Sequence, residues 1–483
     1  MHLSSQRNGT RKRSFFLFPN SNDRIRNSGT GKQTFITVSD KSPPSAALRD
    51  FPQDGWSSFF TILLLNPFAI LPGFEAMEGQ KEVIDRLQRS FRSRVTLPEQ
   101  FRLAQLDALL SLIKENEIQI LEALHQDLHK LILLPLVGAI AAGNCAILKP
   151  SEISQATEKL LAELIPKYLS KECYAVVCGG AEETKTLLEN RFDHIFYTGS
   201  QNVARSILQA AAIHLTPVTL ELGGKCPCLI YGKVDIKAAA RRLAWAKFFN
   251  AGQSCVAPDY VLCTPQIQAA LIPALREALE GFYTAQPQQC PDMGRIVSDR
   301  HWDRLNDMLE RSAGTVEIGG QSTKQEKYMA PTVLVNVKEN DVLMQEEIFG
   351  PILPILSVET LEEGIDFMNC REKPLALYVF SDEPQVVTKV LEQTSSGGFC
   401  SNDGIVHMTL PGLPFGGVGA SGMGSYHGRW GFETFSHRRG CMLRGWGLER
   451  INVLRYPPYQ ETNLSWLRWA TGAKKGWSGC SVM

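Results

Sequence analysis

The sequence predicts an α/β fold built around a doubly wound sheet, and three observations support this prediction. Four short apolar or β-branched runs alternate with three helical patterns, in the order 145–148, 154–168, 174–178, 181–189, 194–197, 200–213 and 218–220. This alternation is typical of βαβ units in a parallel sheet. The 483 residues suffice for two or three domains, and a second α/β alternation follows residue 255. Ligands of such sheets bind beyond the carboxyl ends of the strands.

Composition limits the possible functions. Lysine and arginine number 50, as do aspartate and glutamate, so nothing indicates a nucleic-acid partner. The 12 cysteines are scattered, without a Cys-x-x-Cys pair or the Cys/His spacing of a zinc site. This argues against a metal centre and a disulfide framework, and for a reducing compartment in which a thiol nucleophile survives.

Residues 1–76 differ from the rest of the chain. The first fifty residues hold nine Lys or Arg and three Asp among many Ser and Asn, which predicts a disordered extension. Residues 55–74 then carry no charge, and a run of this length would span a bilayer. Asn66, Pro67 and Pro72 interrupt it, so a membrane anchor is the less favoured interpretation.

The next segment is helical. Pro98 suits a helix start, and between residues 78 and 130 apolar residues recur at three- and four-residue steps. A helix of small residues is predicted to end at Gly143. These patterns indicate core-facing helices and carry no site.

An acid and a thiol stand at the ends of predicted elements. Residues 216–225 read Thr-Pro-Val-Thr-Leu-Glu-Leu-Gly-Gly-Lys, so Glu221 ends a buried strand just before two glycines. Cys255 follows a helical pattern and a turn of small residues. A carboxylate at the end of a buried strand is costly unless it has a task or a partner. When each residue is considered alone, the plainer interpretation is that Glu221 is a capped acid and Cys255 a buried structural cysteine.

Taken together, the two motifs resemble the aldehyde dehydrogenase superfamily. Leu-Glu-Leu-Gly-Gly-Lys followed by Gly-Gln-Ser-Cys carries the resemblance; Cys-Val-Ala-Pro-Asp-Tyr is similar to class 3, and the carboxyl end to its 3B branch. The resemblance covers about residues 77–460. It implies Cys255 as the nucleophile, Glu221 as the general base, NAD or NADP as the cofactor, an aldehyde as the substrate and a homodimer.

The resemblance also divides the chain into domains. It implies a cofactor-binding domain at residues 77–221, an α/β catalytic domain at 222–408 and a C-terminal segment at 409–483, after the extension at 1–76. The substrates that it implies are medium- or long-chain or aromatic aldehydes, which are oxidised to carboxylic acids.

Strand ends supply the cofactor candidates. Lys149 and Glu152 follow one strand, and the resemblance implies that both face the adenosine ribose; otherwise they are a surface lysine and an acid at a helix start. Gly199 precedes a helix whose amino end suits a pyrophosphate. Where the family has a second glycine this chain has Ala204, whose methyl group crowds a close backbone approach. The Gly-x-Gly-x-x-Gly fingerprint is absent.

The nicotinamide and substrate ends are predicted from two further segments. In Gln-Glu-Glu-Ile-Phe-Gly-Pro, the resemblance implies that Glu347 and Phe349 contact the nicotinamide ribose and ring, and it places Phe415 near the aldehyde. Without the resemblance, Glu347 is a capping acid and Phe349 a core aromatic. The choice between NAD and NADP stays open, because Glu152 would repel a 2′-phosphate whereas class 3 members use both.

The carboxyl terminus predicts a lipid anchor. Cys480-Ser-Val-Met fits the C-a-a-X pattern of prenylation, and a terminal Met favours farnesyl. Aromatic and basic residues upstream suit a membrane surface and would supply a second binding signal. The chain is therefore expected on the cytoplasmic face of a membrane, with the cytosol as the alternative if the cysteine is there by chance.

One departure from the family puts catalysis in doubt. Lys130 joins Leu131 directly, where the family has a long segment ending in Trp-Asn-Tyr-Pro. That asparagine donates a hydrogen bond to the oxyanion, and losing one such donor costs roughly 10²–10³ in rate. The segment also holds the first strand and helix of the cofactor domain, so we expect unpaired backbone at an inner position of the sheet.

Three functions therefore remain open. Intact Glu221 and Cys255 favour an aldehyde dehydrogenase, whereas the junction favours a catalytically impaired, membrane-associated relative. A thiol acyltransferase or hydrolase that works without NAD is a third possibility.

Overall fold

The computed structural model describes residues 35–38, 61–64, 78–127 and 133–470. In chain order its strands are β1 (Phe35–Val38), β2 (Thr61–Leu64), β3 (Ala146–Lys149), β4 (Tyr174–Val176), β5 (His194–Gly199), β6 (Val218–Leu222), β7 (Pro227–Ile230), β8 (Tyr260–Cys263), β9 (Thr315–Ile318), β10 (Ser322–Thr323), β11 (Tyr328–Met329), β12 (Thr332–Val335), β13 (Ile352–Ser357), β14 (Ala376–Phe380), β15 (Gly398–Ser401), β16 (Gly422–Met423) and β17 (Arg439–Met442). Its helices are α1 (Glu78–Arg92), α2 (Glu99–Glu115), α3 (Glu117–Asp127), α4 (Leu134–Ala141), α5 (Gln155–Tyr168), α6 (Ala181–Leu188), α7 (Gln201–His214), α8 (Ile236–Phe248), α9 (Pro265–Tyr283), α10 (Asp299–Arg311), α11 (Leu361–Asn369), α12 (Pro384–Gln393), α13 (Gly428–Thr434), α14 (Glu449–Asn452) and α15 (Glu461–Ala470).

The alternation predicted between residues 145 and 220 is confirmed, with bounds shifted by one or two residues. Local chemistry explains where the helices begin. The Ser200 side chain accepts a hydrogen bond from the N–H of Val203 at the start of α7, and Asp235 accepts one from Ala238 at the start of α8. Such caps satisfy N–H groups that have no partner inside the helix.

The first large sheet has six strands in the order β16-β6-β5-β2-β3-β4. The pairs β3–β4 and β5–β6 are parallel, as predicted. β2 runs antiparallel to both of its neighbours, and β16 runs antiparallel to β6. The α/β class is therefore confirmed, but the sheet is mixed rather than purely parallel.

The expected gap in this sheet is filled, so that expectation is wrong. Ile62 in β2 lies opposite Leu148 of β3 on one side and opposite Phe196 of β5 on the other. A short apolar run upstream of the family-like region thus occupies the inner position, because an inner strand satisfies backbone groups on both neighbours. The Lys130–Leu131 junction itself lies outside the described residues.

The fate of residues 1–76 differs from the sequence prediction in two places. β1 and β2 are strands, so disorder is wrong for residues 35–38 and 61–64. Membrane anchoring is likewise wrong for residues 61–64, which form a strand in a sheet. The other residues of this extension lie outside the described part of the chain. Within the described ranges, no helix combines the length and the apolar character needed to cross a bilayer.

The second large sheet follows β6 along the chain. Its seven strands have the order β15-β14-β7-β8-β13-β12-β9, and the four pairs that join β15, β14, β7, β8 and β13 are parallel. The strands β7, β8 and β14 are buried along their whole length. Such continuous apolar runs are typical of sheets covered on both faces.

The described residues divide into two compact units. One lies within residues 41–437 and holds both large sheets. The other lies within residues 1–40 and 438–483, where β1 pairs antiparallel with β17. The boundary predicted at 221/222 falls near the end of β6, at the passage from the first sheet to the second, and it stays a prediction.

Replacing Ile62 by proline tests the inner position of β2. Proline has no backbone N–H, so a carbonyl on β3 or β5 loses its donor, and the ring does not fit a central strand. We expect the free energy of unfolding to fall by roughly 3 kcal/mol. The matched control, Ile62→Val, should cost at most about 1 kcal/mol. Equal thermal midpoints for the two variants would show that β2 is not an inner strand.

Candidate active site

Glu221 lies in the last part of β6, between two other strands. Its register partners are Thr198 on β5 and Gly422 on β16. The residue is only 3% exposed, and neither carboxylate oxygen has a hydrogen-bond partner. Burial raises the pKa of the Glu221 carboxyl well above its usual range. A buried acid without a partner is expensive, and such groups concentrate at functional sites.

Cys255 follows a tight turn at the end of α8. The turn spans Phe249–Gly252, with left-handed backbone at Asn250 and Ala251. Gly252 has a φ of 71°, and a Cβ there would lie 2.2 Å from the carbonyl oxygen of Gly350. Only glycine fits this close approach, so the geometry requires glycine at position 252.

A buried glutamine braces the turn before the thiol. The Gln253 side chain donates to the carbonyls of Asn250, at 3.1 Å, and Arg295, at 2.9 Å, and it accepts from the N–H of Val297 at 2.9 Å. Cys255 itself is half-buried, and its carbonyl accepts a hydrogen bond from the Cys226 thiol at 3.4 Å. The turn therefore holds a partly accessible cysteine on a rigid support.

Tyr426 is a buried aromatic residue that is sensitive to both candidate groups. Burial raises the pKa of Tyr426 well above its usual range, and the charges of Glu221 and Cys255 raise it further. Its backbone exchanges hydrogen bonds with Phe415, at 3.0 and 2.8 Å, and its ring meets Phe196 edge-on at 5.1 Å. The sequence prediction did not include Tyr426.

Phe415 lies in an aromatic group that includes two histidines. Its ring stacks on His427 with centroids 5.2 Å apart, and it lies 6.4 Å from His407. Burial lowers the pKa of both His407 and His427 to about 4. Both imidazoles are therefore neutral near pH 7, so the surroundings of Phe415 are aromatic and carry no histidine charge. Neither histidine was predicted.

Glu347 and Phe349 lie in the turn before β13. The Glu347 carboxylate sits against the Gly223 backbone just after β6, where a Cβ would come within 2.2 Å of it. Phe349 adopts a left-handed φ of 51°, and its carbonyl lies 2.7 Å from His301 Nε2. The structure thus brings Glu347 to the end of the strand that carries Glu221.

A buried ion network joins three of the motif segments, and sequence reasoning missed it. Asp259 accepts a hydrogen bond from Lys225 Nζ at 2.5 Å and one from the N–H of Ile348 at 3.1 Å. Lys247 Nζ, on α8, lies 3.9 Å from the same carboxylate and is fully buried. Burial lowers the pKa of Lys247 to about 8, against the opposing effect of Asp259.

Lys149 and Glu152, predicted to face the adenosine ribose, lie together at the carboxyl end of β3. Lys149 Nζ, at the carboxyl end of β3, donates to the carbonyls of Pro150 and Gly179 at 2.5 Å and lies 3.7 Å from the Glu152 carboxylate. An ammonium beside a half-exposed carboxylate offers both a donor and an acceptor to ribose hydroxyls. Gly199 ends β5 just before α7, whose amino end favours a phosphate.

The last two predicted residues are Ala204 and Cys480. Ala204 is 2% exposed and packs with Leu220 and Leu222, so its methyl group belongs to a core cluster. Its role toward the cofactor stays a prediction. Cys480 lies outside the described residues.

A partly accessible thiol on a braced turn and a buried carboxylate without a hydrogen-bond partner among the described residues are groups that nucleophilic enzymes use. The sequence profile of the aldehyde dehydrogenase family matches residues 129–440. The chain belongs to this family, and it resembles the 3B members of class 3. Enzymes of the family use NAD or NADP.

The similar proteins agree with this assignment. Aldehyde dehydrogenase family 3 member B1 of Rattus norvegicus is 48% identical over 453 residues, covering 80% of this chain and 96% of the relative. Member B2 of Mus musculus is 57% identical over 344 residues, covering 71% of each chain. A substrate-bound Staphylococcus aureus AldH matches with a TM-score of 0.78 at 36% identity, covering 82% of this chain and 100% of that one.

A structure with bound cofactor is also similar. Mycobacterium tuberculosis aldehyde dehydrogenase complexed with NAD+ has a TM-score of 0.59 and 28% identity, covering 65% of this chain and 66% of that one.

The alignment with member B1 of Rattus norvegicus indicates a gap in this chain. It spans 453 positions, yet 80% of 483 residues is only about 386, so about 67 positions fall on gaps in this chain. This agrees with a segment missing relative to the family.

Replacing Glu221 by glutamine should stabilise the protein at neutral pH. Because burial raises the carboxyl pKa, the neutral acid is favoured in the folded state, and the cost of ionising it grows as pH rises above its ordinary value of 4.5. We expect Glu221→Gln to unfold at a higher temperature at pH 7.5, by roughly 1–2 kcal/mol of unfolding free energy. The gain should shrink toward pH 5. A pH-independent difference in thermal midpoint would contradict the buried, unpaired carboxylate.

Proposed function

We propose that this chain oxidises medium- or long-chain or aromatic aldehydes to carboxylic acids with NAD or NADP, at a low rate. The observations that support the proposal are the buried Glu221 carboxylate, which has no hydrogen-bond partner among the described residues, and the half-buried Cys255 on its braced turn. Cys255 is the nucleophile and Glu221 the general base. The third alternative, an acyltransferase or hydrolase, does not fit the family to which the chain belongs.

The chemistry proceeds on the cysteine. The Cys255 thiolate attacks the aldehyde carbon, forming a C–S bond and an oxyanion, a thiohemiacetal. When bound, NAD or NADP would supply the hydride acceptor for oxidation of this carbon, and Cys255 would retain the acyl group as a thioester. Glu221 then takes a proton from water, and the water attacks the thioester carbonyl. The C–S bond breaks, the acid leaves, and the thiol is restored.

The raised pKa of Glu221 suits this role. A carboxyl with an ordinary pKa is a weak base toward water, and burial raises the pKa of Glu221 well above its usual range, so its carboxylate is a stronger base. This burial destabilises the fold, because both oxygens lack a hydrogen-bond partner among the described residues. The stacked rings of Phe415 and His427 suit an apolar or aromatic aldehyde.

The remaining site residues divide between cofactor and substrate. Lys149, Glu152 and Gly199 hold the adenosine end, with Ala204 beside them. Glu347 and Phe349 hold the nicotinamide end, and Phe415 faces the aldehyde. In this scheme, residues 77–221 bind the cofactor, 222–408 carry the thiol, and 409–483 form the C-terminal segment.

The low rate follows from the direction of β2. Its carboxyl end, Leu64, pairs with Ala146 and His194, the first residues of β3 and β5. The carboxyl end of β2 therefore lies at the edge of the sheet opposite Lys149. In the family, the inner strand leads to the oxyanion asparagine at the catalytic edge. Without that donor the rate falls by roughly 10²–10³.

Location and assembly complete the proposal. A prenyl group on Cys480 anchors the chain to the cytoplasmic face of a membrane, and two copies form a homodimer. The antiparallel β2 also supports a second candidate, a membrane-associated relative that binds cofactor but turns over too slowly to matter.

Turnover of nonanal with NAD tests the proposal. We expect kcat at least about 100-fold below that of human aldehyde dehydrogenase family 3 member B1 assayed in parallel, because one oxyanion donor is absent. Cys255→Ala should abolish NADH formation. The control Cys370→Ser alters an exposed thiol on the far end of α11 and should leave the rate unchanged.

Each outcome has a definite meaning. A wild-type rate equal to that of the relative would refute the oxyanion argument. Residual NADH formation by Cys255→Ala would refute the nucleophile. NAD binding without any turnover would favour the second candidate.

A further inference from the structure

Ser254 directly precedes Cys255 in the chain and is only 3% exposed. Its hydroxyl oxygen is buried and has no hydrogen-bond partner among the described residues. A buried hydroxyl without a partner destabilises a fold, because it loses its hydrogen bonds to water and gains none in return. The mechanism described above does not use this group.

The backbone of the surrounding loop is, by contrast, closely bonded. The four consecutive carbonyls of residues 253–256 each accept a hydrogen bond. Their donors, in chain order, are Asn250 Nδ2 at 3.1 Å, the N–H of Ala257 at 3.0 Å, the Cys226 thiol at 3.4 Å and the Tyr378 hydroxyl at 2.5 Å. The unpaired Ser254 hydroxyl therefore does not result from a loosely packed loop.

The Ser254 hydroxyl does not cap this turn either. A serine in a turn commonly accepts a hydrogen bond from an N–H a few residues further on. Here the N–H of Ala257 donates to the carbonyl of Ser254, and the hydroxyl takes no such bond. The hydroxyl is thus free to donate its hydrogen to a bound molecule.

The place of Ser254 beside Cys255 puts this donor within reach of the reacting atoms. Neighbouring Cα atoms are about 3.8 Å apart. When the Cys255 thiolate adds to an aldehyde, the C–S bond forms and the π electrons of the carbonyl move to its oxygen. This oxyanion lies on the carbon that is bonded to the sulfur. A hydroxyl on the preceding residue can approach it at the ordinary O–H···O distance of about 2.7 Å.

We propose that Ser254 is a further catalytic residue, whose hydroxyl donates a hydrogen bond to the oxyanion formed on Cys255. This inference rests on the proposed function, in which Cys255 is the nucleophile, and deepens it. The O–H bond stays intact, and the hydrogen bond stabilises the charge on oxygen as that charge forms. Because the Trp-Asn-Tyr-Pro asparagine of the family is missing, Ser254 accounts for a rate that is low rather than zero.

Binding of the trifluoromethyl ketone analogue of nonanal tests the proposal without NAD. A thiol adds to this ketone reversibly, and the oxygen of the adduct takes the place of the oxyanion. We expect Ser254→Ala to raise the Kd of the full-length protein for the ketone at least about tenfold, measured by protection of Cys255 from iodoacetamide. In fluorine NMR titrations the pKa of the adduct hydroxyl should rise by at least about 1, because its anion loses a donor.

Thermal unfolding separates this role from a structural one. Ser254→Ala removes an unpaired hydroxyl, so its thermal midpoint should equal or exceed that of the parent. The matched control is Ser381→Ala, because Ser381 is 2% exposed and its hydroxyl accepts a hydrogen bond from the N–H of Glu383 at 3.2 Å. The control should lower the thermal midpoint and leave the affinity for the ketone unchanged.

Equal ketone affinity of Ser254→Ala and the parent overturns the proposal. A thermal midpoint of Ser254→Ala below that of the parent also overturns it, because the hydroxyl would then support the fold. A changed pH midpoint for alkylation of Cys255 without ketone would show that the hydroxyl acts on the thiol instead.

The same assay distinguishes failure of the proposed function. A parent protein that forms no ketone adduct on Cys255 refutes the nucleophile, and the role of Ser254 with it. A parent that binds the ketone but oxidises no aldehyde refutes the proposed oxidation alone, because the ketone assay contains no NAD.

Discussion

The buried carboxylate of Asp259 is the contact on which the site depends. It binds Lys225, from the glycine-rich turn after β6, and the N–H of Ile348, from the turn that carries Glu347 and Phe349. Asp259 itself lies four residues after Cys255, and Lys247 approaches it from α8. Three segments distant in sequence are thus tied to one anion. Removing a single partner from such a buried group leaves an uncompensated charge, which is strongly destabilising.

This network also explains how the chain keeps its site despite its altered cofactor domain. The groups around Cys255 depend on the second sheet and on the turns that follow β6, whereas β2 lies in the first sheet, separated from β16 by the two strands β6 and β5. The inner position is occupied, so the backbone of β3 and β5 is satisfied. The strand at this position runs antiparallel to both of its neighbours.

The strand alternation and the position of Glu221 could be predicted from the sequence, because both depend on local patterns. The alternation of runs between residues 145 and 220 fixed the strands, and Glu221 before two glycines marked a strand end. The inner place of β2 was not predictable, since a four-residue apolar run carries no information about its pairing partners. The Asp259 network and Tyr426 were missed for a related reason: Lys225, Lys247 and Ile348 meet only through tertiary packing, and Tyr426 appears as one aromatic among glycines. The sequence predicts that the Ala204 methyl group crowds a close backbone approach, whereas in the structure this methyl group packs into a core cluster.

The most direct test of the paired roles of Glu221 and Cys255 is the intact mass of the Glu221→Gln enzyme after a single turnover with nonanal and NAD. The account predicts a mass increase equal to one acyl group, mapped to Cys255 by peptide analysis, because the thioester forms but water is not activated. The wild-type enzyme should show little of this adduct under the same conditions. Absence of the adduct from Glu221→Gln while NADH is formed, or its appearance on another cysteine, would contradict the account.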